Sequence, residues 1–130
     1  MSDVTTGKMT DTLVPSPGAR EVVAIQHSIA VASGYASSGD DVIFFKAPCA
    51  MRIVGGGLNH AGTLGASATA QLKAGSTAIT AASTAGGAST VLMNVFPVDV
   101  AKGDPIQARI AGANITASTT VKVFILGHRL

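Results

Sequence analysis

The chain has 130 residues, enough for one domain that buries roughly two-thirds of its unfolded surface, yet only 12% of them are charged while 47% are hydrophobic. That is about half the charge of an ordinary soluble domain, too little to cover a free monomer generously, and it points to surface covered by partners. Nine Lys and Arg against seven Asp and Glu are scattered without a basic cluster, and four Phe, one Tyr and no Trp give few stacking platforms, so nucleic acid is not an expected partner.

Residues 1–20 are polar, carry Pro15 and Pro17 in VPSPG and follow neither helical nor strand periodicity. They read as an extended N-terminal arm ahead of a β-domain at residues 21–130. In an assembling protein such an arm reaches to a neighbour, with Leu13 and Val14 as apolar anchors and Pro15, Pro17 and Arg20 completing the partner-binding stretch. The arm has no basic stretch followed by an apolar one and does not read as a signal peptide, so synthesis in a cytoplasm is expected.

From residue 22 the pattern turns to period two: Val23, Ile25, His27, Ile29 and Val31 share one face, Ala24, Gln26, Ser28 and Ala30 the other. That is the mark of a strand. After the turn-rich SGYASSGDD comes VIFFKAP, a β-favouring run closed by Pro48, which cannot donate to a ladder. Cys49 follows; as the single cysteine it permits no internal disulfide and reads as a small buried hydrophobe. In MRIVGGGLNH, Met51 and Ile53 oppose Arg52 and Val54, and Gly55, Gly56 and Gly57 predict loosening or a bulge. ATAQLKAG places Ala68, Ala70, Leu72 and Ala74 opposite Thr69, Gln71 and Lys73. A short strand surrounds Ile79, and TVLMNVF sets Val91, Met93 and Val95 against Leu92, Asn94 and Phe96 until Pro97. Beyond the turn KGD, Ile106, Ala108 and Ile110 alternate with Gln107 and Arg109. Last, Val121, Val123 and Ile125 alternate with Lys122, Phe124 and Leu126.

These are about eight strands without a window of helical apolar spacing, which predicts an all-β antiparallel sandwich, most simply a jelly roll. No apolar run reaches the ~18 residues of a spanning helix, so no membrane partner is expected. Residues 61–90 contain ten Ala, six Thr, five Gly and four Ser, side chains with little acid-base or ligand chemistry. An active site is not expected there. Small residues instead let backbones approach closely, which suggests a contact and packing surface, with Ala70 and Ala74 at a subunit interface.

The remaining candidates for chemistry are few. His27, His60 and His128 lie far apart in sequence, without the spacing of a metal site. His27, mid-strand on the larger-residue face, reads as a core or subunit-interface residue that a trimer axis would gather in three copies. His60 reads as a turn residue. Asp40 and Asp41 sit in a turn context rather than as an acid-base pair, and Asp99 and Asp104 bracket a turn at Lys102. The triple glycine lacks the spacing of a phosphate loop, and there is no nucleophile elbow. No catalytic, cofactor-binding or metal-binding residue is assigned, and an enzyme is not expected.

The stretch DDVIFFKAPCAMRIVGGGLNHAGTLGASATAQLKAG, with Leu64, Gly65, Ala66, Ser67, Thr69 and Leu72 in its second half, resembles a family of small tailed-phage virion proteins. The later segment from Val100 to Arg109, V-x-x-G-D-x-I-x-A-R, is similar to the family's closing part. The resemblance covers about residues 40 to 126 and implies a β-sandwich that decorates or cements a phage head. It further implies a homotrimer on the virion surface, made in the host cytoplasm, bridging neighbouring major-capsid subunits. A tail or fibre protein is the second reading. A carbohydrate- or ligand-binding sandwich is the third, with Tyr35 as its one tyrosine platform.

Overall fold

The computed structural model describes residues 22–95 and 97–130. The arm assigned to residues 1–20, with Leu13, Val14, Pro15, Pro17 and Arg20, lies outside the described residues. Nine strands and no helix occur among those described: β1 (Val22–Val31), β2 (Asp41–Lys46), β3 (Met51–His60), β4 (Thr69–Ala74), β5 (Thr77–Ala78), β6 (Ser89–Leu92), β7 (Val98–Val100), β8 (Pro105–Ala111) and β9 (Thr119–Arg129).

They form two antiparallel sheets. One has the order β1-β9-β3-β6, with β7 also on β3, and the other the order β2-β8-β4-β5. Alternating the chain between sheets in this order gives the two interlocked Greek keys of a jelly roll, as the strand pattern predicted. The count differs by one because the sixth position is split. β6 pairs with residues 57–60 of β3, and β7 with residues 51–53. The sequence reading ran one strand through Phe96 and missed β7. In fact the chain leaves β3 near Met93, which bridges Thr80, while the Asn94 N–H donates to the Ile79 carbonyl. Pro97, lacking an N–H, then separates the two pieces.

The core lies where the alternation placed it. Val121, Val123 and Ile125 of β9 and Met51, Ile53 and Leu58 of β3 face Leu72 of β4 and Ile106 and Ile110 of β8, all of them buried. Ala70 and Ala74 also belong to this inner face, 0% and 7% exposed. A side chain inside the sandwich has no surface to offer another subunit, so their expected place at a trimer interface is corrected to core packing. Beyond β5 the small-residue tract completes β4: the Ser83 hydroxyl accepts from the Ala70 N–H at 2.9 Å and the Thr80 hydroxyl from the Leu72 N–H at 3.1 Å. Buried hydroxyls thus replace ladder carbonyls, which a buried backbone donor requires.

Two bulges adjust the strands. In β2 the register shifts between Ile43 and Phe45, so Phe44 and Phe45, consecutive residues, both turn toward the interior. In β3 it shifts between Ile53 and Gly55, at the edge of the triple glycine.

Candidate interaction surface

The ladders of the β1-β9-β3-β6 sheet align its outward residues in rows. Gln26, Phe124, Gly57 and Leu92 form one, and Ala24, Leu126 and Gly55 the next. A solvated face of an antiparallel sheet is ordinarily polar. Here Leu92, Leu126 and Phe124 are 64%, 45% and 41% exposed. The glycines set the shape of this surface: with no side chain at Gly55 or Gly57, Leu126 and Phe124 lie low over β3. A Cβ on Gly57 would come 3.1 Å from the Leu92 Cδ2 and 3.2 Å from the Phe124 Cε1. A shallow groove of about 550 Å³ runs between Ala24, Gln26, Gly55, Phe124 and Leu126.

Rows of mainly polar residues lie at both ends of this apolar centre, one of them beginning at the exposed Val22. Ser28, Lys122, Asn59 and Thr90 form one row, and Val22, His128, Arg52 and Asp99 the other. Asn59 Nδ2 donates to Thr90 Oγ1 at 2.7 Å. Arg52 grips Asp99 through Nε at 2.7 Å and a second nitrogen at 3.0 Å. An apolar centre inside a polar rim is the anatomy of a protein-binding surface, and aromatic anchors such as Phe124 are where binding energy concentrates.

The outer face of the other sheet contrasts with it. Arg109 lies between Asp41 and Gln71, and Gln107 between Ile43 and Lys73. Arg109 Nε and a second nitrogen meet the two Asp41 oxygens at 2.6 and 3.0 Å. These hydrogen bonds, followed by the guanidinium charge, hold the Asp41 carboxyl below its ordinary range.

The histidines fall in three different places. His27 is exposed at the open edge between β1 and β2, not in the core, and meets the rings of Phe44 and Phe45 edge-on with centroids 6.3 Å apart. An inward-pointing polar residue on an edge strand is one way that sheets discourage unwanted pairing. His60 is fully buried as the last residue of β3 rather than in a turn, its Nδ1–H donating to the Gly62 carbonyl at 2.8 Å. His128 lies half-buried in the outer polar row. Among the described residues no three of His, Cys, Asp and Glu gather as metal ligands would.

Sequence reasoning missed Phe124, Leu126 and Leu92 as surface residues of interest. The signal was present, since the last strand is apolar in both phases of its alternation; a strand with one solvated face is not.

No known protein family's sequence profile matches the chain, and no curated protein matches it in sequence. Among solved structures, a chain of the cyanophage Pam1 capsid asymmetric unit is similar in fold, with a TM-score of 0.59 and 18% identity, over 85% of this chain and 86% of that one.

Proposed function

We propose that the protein is a structural component of a phage virion that docks on the capsid and holds neighbouring major-capsid subunits together. The fold likeness to a capsid-unit chain, nearly end to end in both, is the observation that carries this reading. The exposed apolar face supports it physically. Apolar area released from water contributes about 25 cal/mol per Å², and Phe124, Leu126 and Leu92 supply such area on this face. In this reading that face turns toward the shell. The arm adds a second contact, with Leu13, Val14, Pro15, Pro17 and Arg20 reaching the capsid subunit.

The protein is then a virion component made in the host cytoplasm, acting by contact rather than catalysis and assembled as a homotrimer in which His27 faces the axis. Light scattering on the purified chain tests the trimer, and a monomeric mass refutes it. Sedimentation with undecorated heads of the encoding phage tests the attachment. Saturable co-sedimentation at a fixed ratio to the major capsid protein is the expected result. A chain that stays in the supernatant while binding isolated tails moves the protein to the tail.

A further inference from the structure

The edge of a sheet is where it can recruit another chain, and sheets blunt their edges with short strands, charges and bulges. Most edge strands described here are blunted in this way. β5 has two residues, β6 four and β7 three, and β2 is broken by its register shift and bounded by Asp41 and Lys46. β1 is the exception. It is the terminal strand of its sheet, ten residues long, without charge or proline, and it keeps one unbroken register with β9. Among the described residues it pairs with β9 alone, so the row of N–H and C=O groups on its other side is open to a further strand.

The sequence of that strand says which one fits. Residues 23–31 read VAIQHSIAV, and the reversed sequence is the same apart from the exchange of Gln26 and Ser28. A two-fold contact between identical chains needs a self-complementary patch, in which each residue and its opposite number exchange places across the axis. Antiparallel pairing centred on His27 sets His27 against its own copy, Gln26 against Ser28, Ile25 against Ile29, Ala24 against Ala30 and Val23 against Val31. On the outer face polar then meets polar and alanine meets alanine, while on the inner face branched side chains meet. Ile25 and Ile29, half-buried within one copy, are covered further by the second. A slip of two residues would oppose His27 to an isoleucine, and a slip of one would turn the inner residues outward.

We propose that β1 pairs antiparallel with β1 of a second copy about a two-fold axis at His27, joining the two β1-β9-β3-β6 sheets into one. Because that axis stands perpendicular to the sheet, the faces that carry Phe124, Leu126 and Leu92 point the same way in both copies. His27 then lies on a two-fold rather than on the three-fold of a trimer, and the solution mass decides between them. The pairing rests on the edge and sequence of β1 and stands whether or not the protein is a virion component.

Sedimentation equilibrium of the full chain tests it, and the expected mass is that of two chains. His27→Asp and His27→Lys each set like charges directly opposite one another at the axis, which destabilises a strand pair. Each is expected to raise the dimer dissociation constant tenfold or more, and an equimolar mixture of the two, with opposite charges at the axis, to restore the dimer. His27 is exposed, so both variants should fold, which circular dichroism checks. The outward pair gives a second route: the double variant Gln26→Lys, Ser28→Asp is expected to remain a dimer and Gln26→Asp, Ser28→Asp to dissociate. A wild-type chain that is monomeric at every concentration overturns the proposal, as does a mass of three chains. Folded His27 variants that fail to pair when mixed also overturn it, as do outward double variants that behave alike.

Discussion

Phe124 packs against Gly57 so closely that a methyl group on the glycine would stand 3.2 Å from the ring and 2.6 Å from the Val91 carbonyl oxygen. The ring can yield, but the carbonyl belongs to the β3–β6 ladder and cannot move without breaking it. Gly57→Ala is therefore expected to destabilise the fold by about 1–3 kcal/mol, the usual cost of overpacking. At Gly55 the nearest atom to an added methyl is the Leu126 Cβ at 3.7 Å, an ordinary contact, so Gly55→Ala stays within about 1 kcal/mol of the parent. Urea unfolding of the two variants checks the contrast; equal losses would show that the close approach at Gly57 is not what the fold requires.

Leu72, fully buried between the sheets, reports on the core. Leu72→Ala is expected to cost about 2–5 kcal/mol, and Ala70→Lys to prevent folding because it places an unpaired charge where no solvent reaches. Gln71→Lys, on the outer face of the same strand, is tolerated apart from losing the bond from Gln71 Nε2 to the Thr80 carbonyl. Circular dichroism melts order the three, and a folded Ala70→Lys protein would contradict the assigned faces of β4.

Much of this was legible because a strand's period is local. The alternation in β4 and β9 identified Ala70, Leu72, Val121 and Val123 as one face each, and burial agrees. Which inner face meets another strand and which meets another chain is a tertiary matter, and that is where Ala70 and Ala74 were misassigned. Three-residue β7 is too short for any period to register. The paired inward turn of Phe44 and Phe45 depends on a bulge that the continuous run VIFFK conceals. His27 looked internal because it shares a phase with Ile25 and Ile29, but an inward phase on an edge strand still meets solvent.

The Asp41–Arg109 pair gives a pH dependence of definite sign. Because Arg109 lowers the folded-state pKa of Asp41 below its ordinary value of 3.8, the pair's contribution is complete above that value. It is lost as pH falls through the lower folded value. Asp41→Asn should therefore reduce stability near neutral pH and flatten the acid limb, with a small effect because the pair is partly exposed. Denaturation midpoints from pH 7 to pH 2 read it, and an unchanged acid limb in the variant would show that Asp41 does not supply this linkage.

On the outer face, Leu92→Asp and Phe124→Ser remove apolar contact at side chains that are already open to solvent, so both variants are expected to fold. Each should weaken attachment to undecorated heads by tenfold or more, about 1.4 kcal/mol. Gln71→Glu on the opposite sheet should leave attachment within twofold. Co-sedimentation titrations compare them, and an equal loss in all three would remove the β1-β9-β3-β6 face from consideration.

The orientation of the protein on the particle tests the central claim most directly, and a cryo-electron microscopy map of saturated heads provides it. The account predicts density for the sandwich on the capsid surface with Phe124, Leu126 and Leu92 turned toward the major capsid protein and Gln71 and Arg109 toward solvent. A map with that face open to solvent, or heads that bear no such density at saturating protein, would contradict it.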